Sequence, residues 1–295
     1  MHRLFRAFFF RIKRDLTFRI TLCVGAGVAV FMAVLYYILQ VTQKEQLHGM
    51  ELLTGPNMLV NSFSPVQSFG FAIPINLISF TCLEFSQGTI RNKIIAGNSK
   101  FKIYASLFLT GLVFTFALLG VYVGVCTALG SIFGGFDLSK WVSLPSGEIG
   151  PLNVPYILKL LVVVFFSYIT IVSLSIFVAT LFRNMGPCIP IVTMSMLICY
   201  ITVMILKESG VSSDDLSGVI SVFKVVNPLY AMSSGTEVKY LAEEVVIEGV
   251  AETIYTPLSV DLPLDTMLFG IGNNLVYTSI FFVVGIYLFM KKDVK

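Results

Sequence analysis

The residues that most often do chemistry in enzymes are few in this chain, and they do not fall into catalytic patterns. Only two histidines occur, His2 and His48, and neither belongs to a His-Glu-x-x-His zinc motif. No Gly-x-Ser-x-Gly nucleophile turn is present. The dipeptide Gly-Lys never occurs, so the chain lacks a Walker A phosphate-binding loop. We therefore expect no catalytic residue, no cofactor of its own and no ATP hydrolysis by this chain alone.

The cysteines do not indicate a metal or disulfide site either. No two of them form a Cys-x-x-Cys pair, and all lie within or at the ends of apolar stretches. We interpret them as small apolar packing residues. The five are Cys23, Cys82, Cys126, Cys188 and Cys199.

Composition places the chain in a membrane. Of its 295 residues, 56% are hydrophobic and only 13% are charged, whereas soluble domains have about 45–50% apolar and about 25% charged residues. Such a chain cannot cover itself with polar surface, so we exclude a soluble enzyme, a disordered chain and a nucleic-acid-binding protein. We expect an all-α polytopic membrane protein that forms a single transmembrane domain over residues 1–295.

Apolar stretches locate the membrane crossings, each of which needs about 20 mainly apolar residues. Five stretches meet this length clearly. A sixth is weaker because it contains Gln67, Pro74 and Asn76, so a re-entrant or surface segment fits it too. The six predicted spans are about 18–40, 66–83, 103–130, 155–182, 187–206 and 267–290.

The distribution of charge supports six spans. Basic residues mark the cytoplasmic side of a membrane protein, and both ends of this chain are basic, so both ends are expected in the cytoplasm. With six spans, the cytoplasmic segments contain 14 of the 20 basic residues and three of the 17 acidic ones. The net charge of +3 then divides into +11 inside and −8 outside.

Residues 1–17 predict an amphipathic helix on the inner membrane surface. Phe5, Phe9, Ile12 and Leu16 share one helical face, and basic residues occupy the others, which is typical of interfacial helices attracted to anionic lipid. A basic flank that only sets the topology is the alternative.

The inner loop 84–102 predicts a short helix parallel to the membrane. Ile90, Ile94 and Ile95 make a small apolar face. The Gly97–Asn98 pair favours a helix end, and Ser99 can cap the following helix. A soluble partner could push such a helix as a lever.

Ionisable residues are absent from the deep parts of the spans, so the chain shows no proton or ion relay of its own. Glu84 lies near the inner boundary, where it could pair with Arg14 or Arg19 and tie the lever helix to the amino-terminal helix. A simple interfacial carboxylate fits equally well.

The outer segment 207–266 is the largest and contains ten acidic residues against three lysines. We expect short extracellular re-entrant helices and an acidic cap there, with a solvated loop as the alternative. In the third span, Gly120 and Gly124 form a Gly-x-x-x-Gly step, extended by Gly111, Gly130 and Gly134. Such small residues permit close helix packing, either within one subunit or at a dimer seam.

A set of residues in the 84–102 loop resembles the permease subunits of type-2 ATP-binding-cassette (ABC) transporters. These are Glu84, Gly88-Thr89-Ile90, Ile94-Ile95, Gly97 and Ser99-Lys100. The basic amino-terminal helix, the six spans, the tight turn between the fourth and fifth spans and Asn227-Pro228-Leu229-Tyr230 before the last span are also similar to that family.

The resemblance implies an exporter in a bacterial plasma membrane. Two permease subunits, identical or different, would meet two separate ATPase subunits, which would bind ATP and Mg²⁺. The best matching branch exports amphipathic peptides, as phenol-soluble-modulin and lantibiotic-immunity transporters do. The coupling helix that docks on the ATPase would comprise Gln87, Gly88, Thr89, Ile90, Arg91, Asn92, Lys93, Ile94, Ile95 and Gly97.

Two other classes remain open at this point. A secondary transporter or channel would need no ATPase but would need polar residues along its path, for which Asn76, Asn273 and Asn274 are the candidates. A sensor or assembly factor would use the acidic outer segment.

Overall fold

The computed structural model is mainly helical and describes residues 10, 16–42, 52–63, 71–139, 141–143, 149–208, 225–229, 236–247 and 250–291. Apart from Phe10 and Leu16, the predicted interfacial helix over 1–17 lies outside the residues whose side chains are described. The helices are α1 Leu16–Thr42, α2 Gly55–Ser62, α3 Ala72–Ser86, α4 Thr89–Ile95, α5 Lys100–Gly134, α6 Val154–Phe182, α7 Met185–Glu208 and α8 Leu264–Lys291. The strands are β1 Trp141–Ser143, β2 Ile149–Pro151, β3 Glu237–Ile247 and β4 Val250–Asp261.

Among the described residues, five helices are long and apolar enough to cross a membrane, namely α1, α5, α6, α7 and α8. The chain is therefore a multi-pass membrane protein, and these five match five predicted spans to within a few residues. Helix α6 occupies the centre of the bundle. In its most apolar stretch 61% of the residues are buried, compared with 11% in α8 and 17% in α1 and α7.

The bundle has two chemically different ends. One end holds α4, the start of α5 and the α6–α7 turn, with Arg91, Lys93, Lys100 and Arg183 among its residues. We refer to it as the basic side. The opposite end carries all four strands and Asp265 at the start of α8, and we refer to it as the acidic side.

The second predicted span, 66–83, is not one long helix. Helix α3 has 15 residues, which at 1.5 Å per residue is about 22 Å, less than the roughly 30 Å of a bilayer core. Helices α2 and α3 instead lie in series along α5. Helix α2 packs near Gly130 on the acidic side, and Leu77 of α3 packs on Gly111. Residues 64–70 between them lie outside the described part.

Glycines allow α2 and α5 to approach closely. A Cβ atom on Gly130 would lie 2.6 Å from the Thr54 carbonyl oxygen and 2.7 Å from Met58 Cγ. A Cβ atom on Gly134 would collide with the Leu53 carbonyl group. Within the chain these two glycines make a tight helix contact, whereas a Cβ atom on Gly120 or Gly124 would meet nothing within 4 Å. A dimer seam at Gly120 and Gly124 stays a prediction.

Polar side chains of α2 are buried and satisfied locally. Thr54 caps the helix by accepting a hydrogen bond from the Asn57 backbone N–H, at 3.4 Å. The Asn57 amide donates to the Leu52 carbonyl at 2.5 Å, and Asn61 donates to Asn57 Oδ1 at 3.0 Å. Paired amides avoid the cost of unsatisfied polar groups in an apolar interior.

The sequence interpretation of the outer segment 207–266, as short re-entrant helices with an acidic cap, did not foresee the strands over residues 237–261. Strands β3 and β4 form an antiparallel hairpin there, with register from Glu237↔Asp261 to Ile247↔Val250. The segment is rich in Val, Ile, Thr and Tyr, residues that favour strands, and the sequence interpretation gave more weight to its acidity. Among the described residues between α7 and β3, residues 225–226 are helical and precede the buried residues Asn227 and Leu229.

Three side chains anchor the base of this hairpin on α6. Asn153 Nδ2 donates to the Val260 carbonyl at 2.6 Å. Lys159 Nζ lies 2.7 Å from Asp261 Oδ1 and also donates to the Leu262 carbonyl. The end of the hairpin and the start of α8 are thereby fixed to the central helix.

We expect Gly130→Ala to destabilise the bundle, because the new methyl group would overlap backbone atoms of α2. Overpacking of this kind costs about 1–3 kcal/mol. The free energy of unfolding in mixed micelles of increasing sodium dodecyl sulfate measures it. Gly27→Ala in α1 is the matched control, since a Cβ atom there meets nothing within 4 Å. Equal stability of the two variants would contradict the α2–α5 packing.

Candidate functional site

The candidate site is the short helix α4 and its contacts on the basic side. Two glycines in left-handed backbone conformations flank it, Gly88 with φ +66° and Gly97 with φ +83°. This region is open to glycine and strained for most other residues. At the end of the helix, the Asn98 N–H donates to the Lys93 carbonyl and the Gly97 N–H donates to the Ile94 carbonyl. The predicted short helix in the 84–102 loop is therefore present, with turns fixed by its sequence.

A buried carboxylate ties α4 to the last turn of α3. Glu84 is fully buried. Its Oε2 accepts from Lys93 Nζ at 2.8 Å and from the Thr89 hydroxyl at 2.5 Å. The Thr89 hydroxyl also lies 2.8 Å from the Glu84 carbonyl oxygen. Two residues of α4 thus contact one side chain of α3.

The burial of this cluster makes the link between α3 and α4 costly to break. The Lys93 side chain is only 18% exposed, so the ion pair is largely shielded from solvent. Removing one member of a buried pair strands the other and is costly. We therefore expect α3 and α4 to move together. The predicted pairing of Glu84 with Arg14 or Arg19 stays a prediction, because Arg14 lies outside the described residues.

The two faces of α4 differ in exposure. Ile90 is fully buried and Ile94 packs against the core, whereas Ile95 is 72% exposed. Arg91 and Asn92 are exposed beside Ile95. The predicted apolar face is therefore divided, with Ile90 and Ile94 facing the bundle and Ile95 facing away. An exposed apolar residue beside a cation and an amide is suited to contact a protein partner.

A second linkage connects the last turn of α3, just before α4, to the turn between α6 and α7. The Arg183 guanidinium lies 5.5 Å from the centre of the Phe85 ring, within the range of a cation–π interaction. Phe85 in turn contacts Phe289 of α8 edge-on, with ring centres 6.1 Å apart. Arg183 adopts a left-handed conformation with φ 59°, which allows a two-residue connection between α6 and α7, as predicted.

A third linkage joins α5 to the end of α8. Lys100 Nζ donates to the Met290 carbonyl at 2.9 Å. A cation is favourable at the carboxyl end of a helix. Ser99 caps α5 by accepting from the Lys102 backbone N–H at 3.4 Å, as the sequence predicted. The segment that follows α4 is thus fixed to another helix of the bundle.

The asparagines proposed for a polar path instead hold the bundle together. Asn274 is fully buried. Its amide group lies within hydrogen-bond distance of Ser167 Oγ and of the Pro228 and Gly270 carbonyls, and its Oδ1 accepts from Thr170. Asn273 donates to the Asn227 carbonyl at 3.4 Å, and Asn76 accepts from Thr21 at 2.6 Å. In these contacts the amides join α8 to α6 and to residues 227–228, and α1 to α3.

The structure places the sequence-predicted coupling residues on one continuous stretch at the basic side. It brings Glu84, Thr89 and Lys93 together and exposes Arg91, Asn92 and Ile95. Sequence reasoning missed Lys93 as the partner of Glu84, although both charges were visible. It also missed Phe85, Arg183 and Lys100 as links to other helices. Only their positions near predicted span ends could have indicated them.

The described residues contain no group of three or more His, Cys, Asp or Glu side chains that could hold a metal ion. All five cysteines are free thiols, and Cys82, Cys126 and Cys188 are buried in the hydrophobic core. These three fulfil the predicted packing role.

Comparisons of the chain with protein-family models, with curated protein sequences and with solved structures find no match.

We expect Glu84→Gln to loosen α4, because the glutamine amide replaces a charged acceptor of Lys93. Hydrogen bonds to charged groups contribute about 1.5–3 kcal/mol, so amide hydrogen exchange in α4 should rise roughly tenfold or more. Hydrogen exchange measured by mass spectrometry on the peptide covering residues 87–99 tests this. Arg91→Gln, on the exposed face, is the control. Unchanged exchange in Glu84→Gln would show that the cluster does not hold the helix.

Proposed function

We propose that this chain is the permease subunit of a type-2 ABC exporter and that α4 is its contact with a separate ATPase. The observation that supports this most directly is that α4 is anchored on one face and exposed on the other. The helix is too short to be stable alone, yet it is held by Glu84 on one face and presents Ile95 and Arg91 on the other. The resemblance of the Glu84–Lys100 segment to the family loop points the same way.

The proposal assigns the basic side to the cytoplasm of a bacterial cell, because basic residues concentrate on the cytoplasmic side of membrane proteins. Helices α2 and α3 together then provide the second of six crossings. Both termini are cytoplasmic. Residues 1–17 form an interfacial helix on the inner membrane surface, and β1–β4 lie outside the cell.

The contacts of α4 suggest how force would pass into the bundle. Closure of the ATPase pair would displace α4, and the Glu84 cluster would carry the movement to α3. The Arg183–Phe85 contact would carry it to α6 and α7, and the Lys100 contact to α8. Two permease subunits, identical or different, would rock against each other. ATP and Mg²⁺ are bound and used by the partner subunits, and this chain is not itself an enzyme.

The near absence of charged residues from the described part of the core favours an apolar or amphipathic cargo. Glu84 is the only charged residue among the buried ones that the structure describes, and it lies at the basic side. A pathway for an inorganic ion usually places charged groups or aligned dipoles near the membrane centre. An amphipathic peptide or peptide toxin, moved outward, is the cargo class we propose.

A secondary transporter or channel is the second candidate. It is less favoured because Asn76, Asn273 and Asn274 are occupied in holding helices together. Ion- or proton-driven flux through vesicles containing this chain alone would support it against the ABC proposal.

We expect Ile95→Asp to abolish the interaction with the ATPase, since it places a charge at the centre of the docking face. The tagged chain is purified from its native membranes, and vanadate-sensitive ATP hydrolysis is measured in the eluate. Activity should fall at least tenfold. Ile132→Asp is the matched control, because Ile132 is 74% exposed at the other end of the bundle. Equal activity in both variants, or none with the unaltered chain, would contradict the proposal.

A further inference from the structure

Two thiols meet where α3 packs against α7, near the basic side of the bundle. Cys82 lies one turn before the end of α3, and Cys188 is in the first turn of α7. Both are buried, with 2% and 0% of their surfaces exposed. The Cys82 thiol donates a hydrogen bond to Cys188 Sγ. The sulfur atoms of two different helices are thus in direct contact.

The hydrogen bonds around this pair are directed at Cys188. Its sulfur accepts from the Cys82 thiol and from the Asn184 backbone N–H, at the amino end of α7. Its own proton is directed at the Val178 carbonyl of α6, at 3.5 Å. Hydrogen-bond donors and a helix N-terminus stabilise a thiolate, which is the nucleophilic form of cysteine. Cys188 is therefore the better nucleophile of the pair, and Cys82 is the thiol beside it.

The pair lies close to the end of the bundle. Asn184, Gly186 and Pro187, which precede Cys188 in the chain, are exposed. Exposed residues therefore continue up to the residue before Cys188. A small uncharged oxidant such as hydrogen peroxide has only a short path to its sulfur.

We propose that Cys82 and Cys188 are a site of reversible oxidation, at which a peroxide forms a disulfide bond between α3 and α7. The Cys188 sulfur attacks one oxygen of hydrogen peroxide and breaks the O–O bond. The products are a sulfenic acid and one water, which carries away the thiol proton. The Cys82 sulfur then attacks the sulfenic sulfur, and the hydroxyl group leaves as a second water with the Cys82 proton.

The two steps balance. Two thiols lose two electrons in total, one hydrogen peroxide gains them, and two waters form. A dithiol reductant reverses the reaction by thiol–disulfide exchange.

The disulfide bond would fix α3 to α7 at a point two residues before Glu84. Because Glu84 holds α4, the unit of α3 and α4 could then no longer shift against α7. In the proposed exporter this would arrest transmission from the ATPase, and that consequence alone rests on the proposed function.

The test uses the full-length reduced chain in phosphatidylcholine nanodiscs, treated with hydrogen peroxide. The chain is then denatured, its free thiols are alkylated, and mass spectrometry locates linked peptides. We expect a Cys82–Cys188 link in most molecules, which dithiothreitol removes. Cys126 is the internal control, because it is equally buried but its sulfur is hydrogen-bonded to Tyr122 and not to a thiol. It should remain unlinked.

Variants separate the roles of the two thiols. In Cys82→Ala the sulfenic acid of Cys188 has no thiol beside it and should be trapped by dimedone. In Cys188→Ala the remaining Cys82 should react with at least fivefold less dimedone at the same peroxide dose. The melting temperature of each variant shows whether it is folded, and the measurement on the unaltered chain needs no variant.

Hydrogen exchange measures whether the disulfide bond holds α3. In the unaltered chain, amide exchange over residues 79–86 should fall at least threefold on oxidation and recover with dithiothreitol. Cys82→Ala is the control, and its exchange should not respond to peroxide. None of these measurements involves an ATPase, so their outcome is independent of the proposed function.

Three results would overturn the proposal. One is full alkylation of both cysteines at a peroxide dose that oxidises Cys23, which is exposed. Another is a Cys82–Cys188 link no more abundant than links to Cys126, which would mean that the thiols meet only in unfolded chains. The third is a link that leaves hydrogen exchange in α3 unchanged.

Discussion

One buried interaction holds the junction of α3 and α4, where Glu84 accepts hydrogen bonds from Lys93 and Thr89. Seven residues cannot hold a helix in isolation, and α4 is bounded by two glycines that would let it swing. The buried carboxylate removes that freedom and makes α4 an extension of α3. Phe85, next in sequence, contacts both Arg183 and Phe289, so the same junction also reaches α6, α7 and α8.

Elsewhere in the bundle, buried asparagine side chains find partners inside the protein, as polar groups within a membrane must. The short helix α2 enters beside α5 because Gly130 and Gly134 give it room, and its amides are paired by Thr54, Asn57 and Asn61. Asn274 likewise holds residues 227–229 by donating a hydrogen bond to the Pro228 carbonyl. The short segments of the bundle are thus held by local hydrogen bonds, and the long helices supply the apolar surface around them.

The sequence was most informative about features that depend on a short stretch of chain, such as the positions and ends of helices. Apolar length located five helices, and Gly97 and Ser99 marked the end of α4 and the start of α5. It was less informative where tertiary contact decides. The position of α2 depends on its packing against α5, and the partner of Glu84 depends on the direction of α4. Ile95 faces away from Ile90. The hairpin over 237–261 was missed because its charge outweighed its strand-forming residues in the interpretation. Gly120 and Gly124 fit the packing motif, yet only the structure shows that a Cβ atom on either would meet nothing within 4 Å.

Distances between spin labels during ATP turnover would show whether α3 and α4 move together. In the complex with an ATPase that we propose, labels at Asn92→Cys and Ile75→Cys in a cysteine-free background report movement between α4 and α3, and labels at Asn92→Cys and Leu268→Cys report movement between α4 and α8. We predict that ATP shifts the second distance and leaves the first unchanged, because α3 and α4 move as one lever. A change in the first distance without one in the second would mean that α4 swings freely at Gly88 and does not drive the bundle.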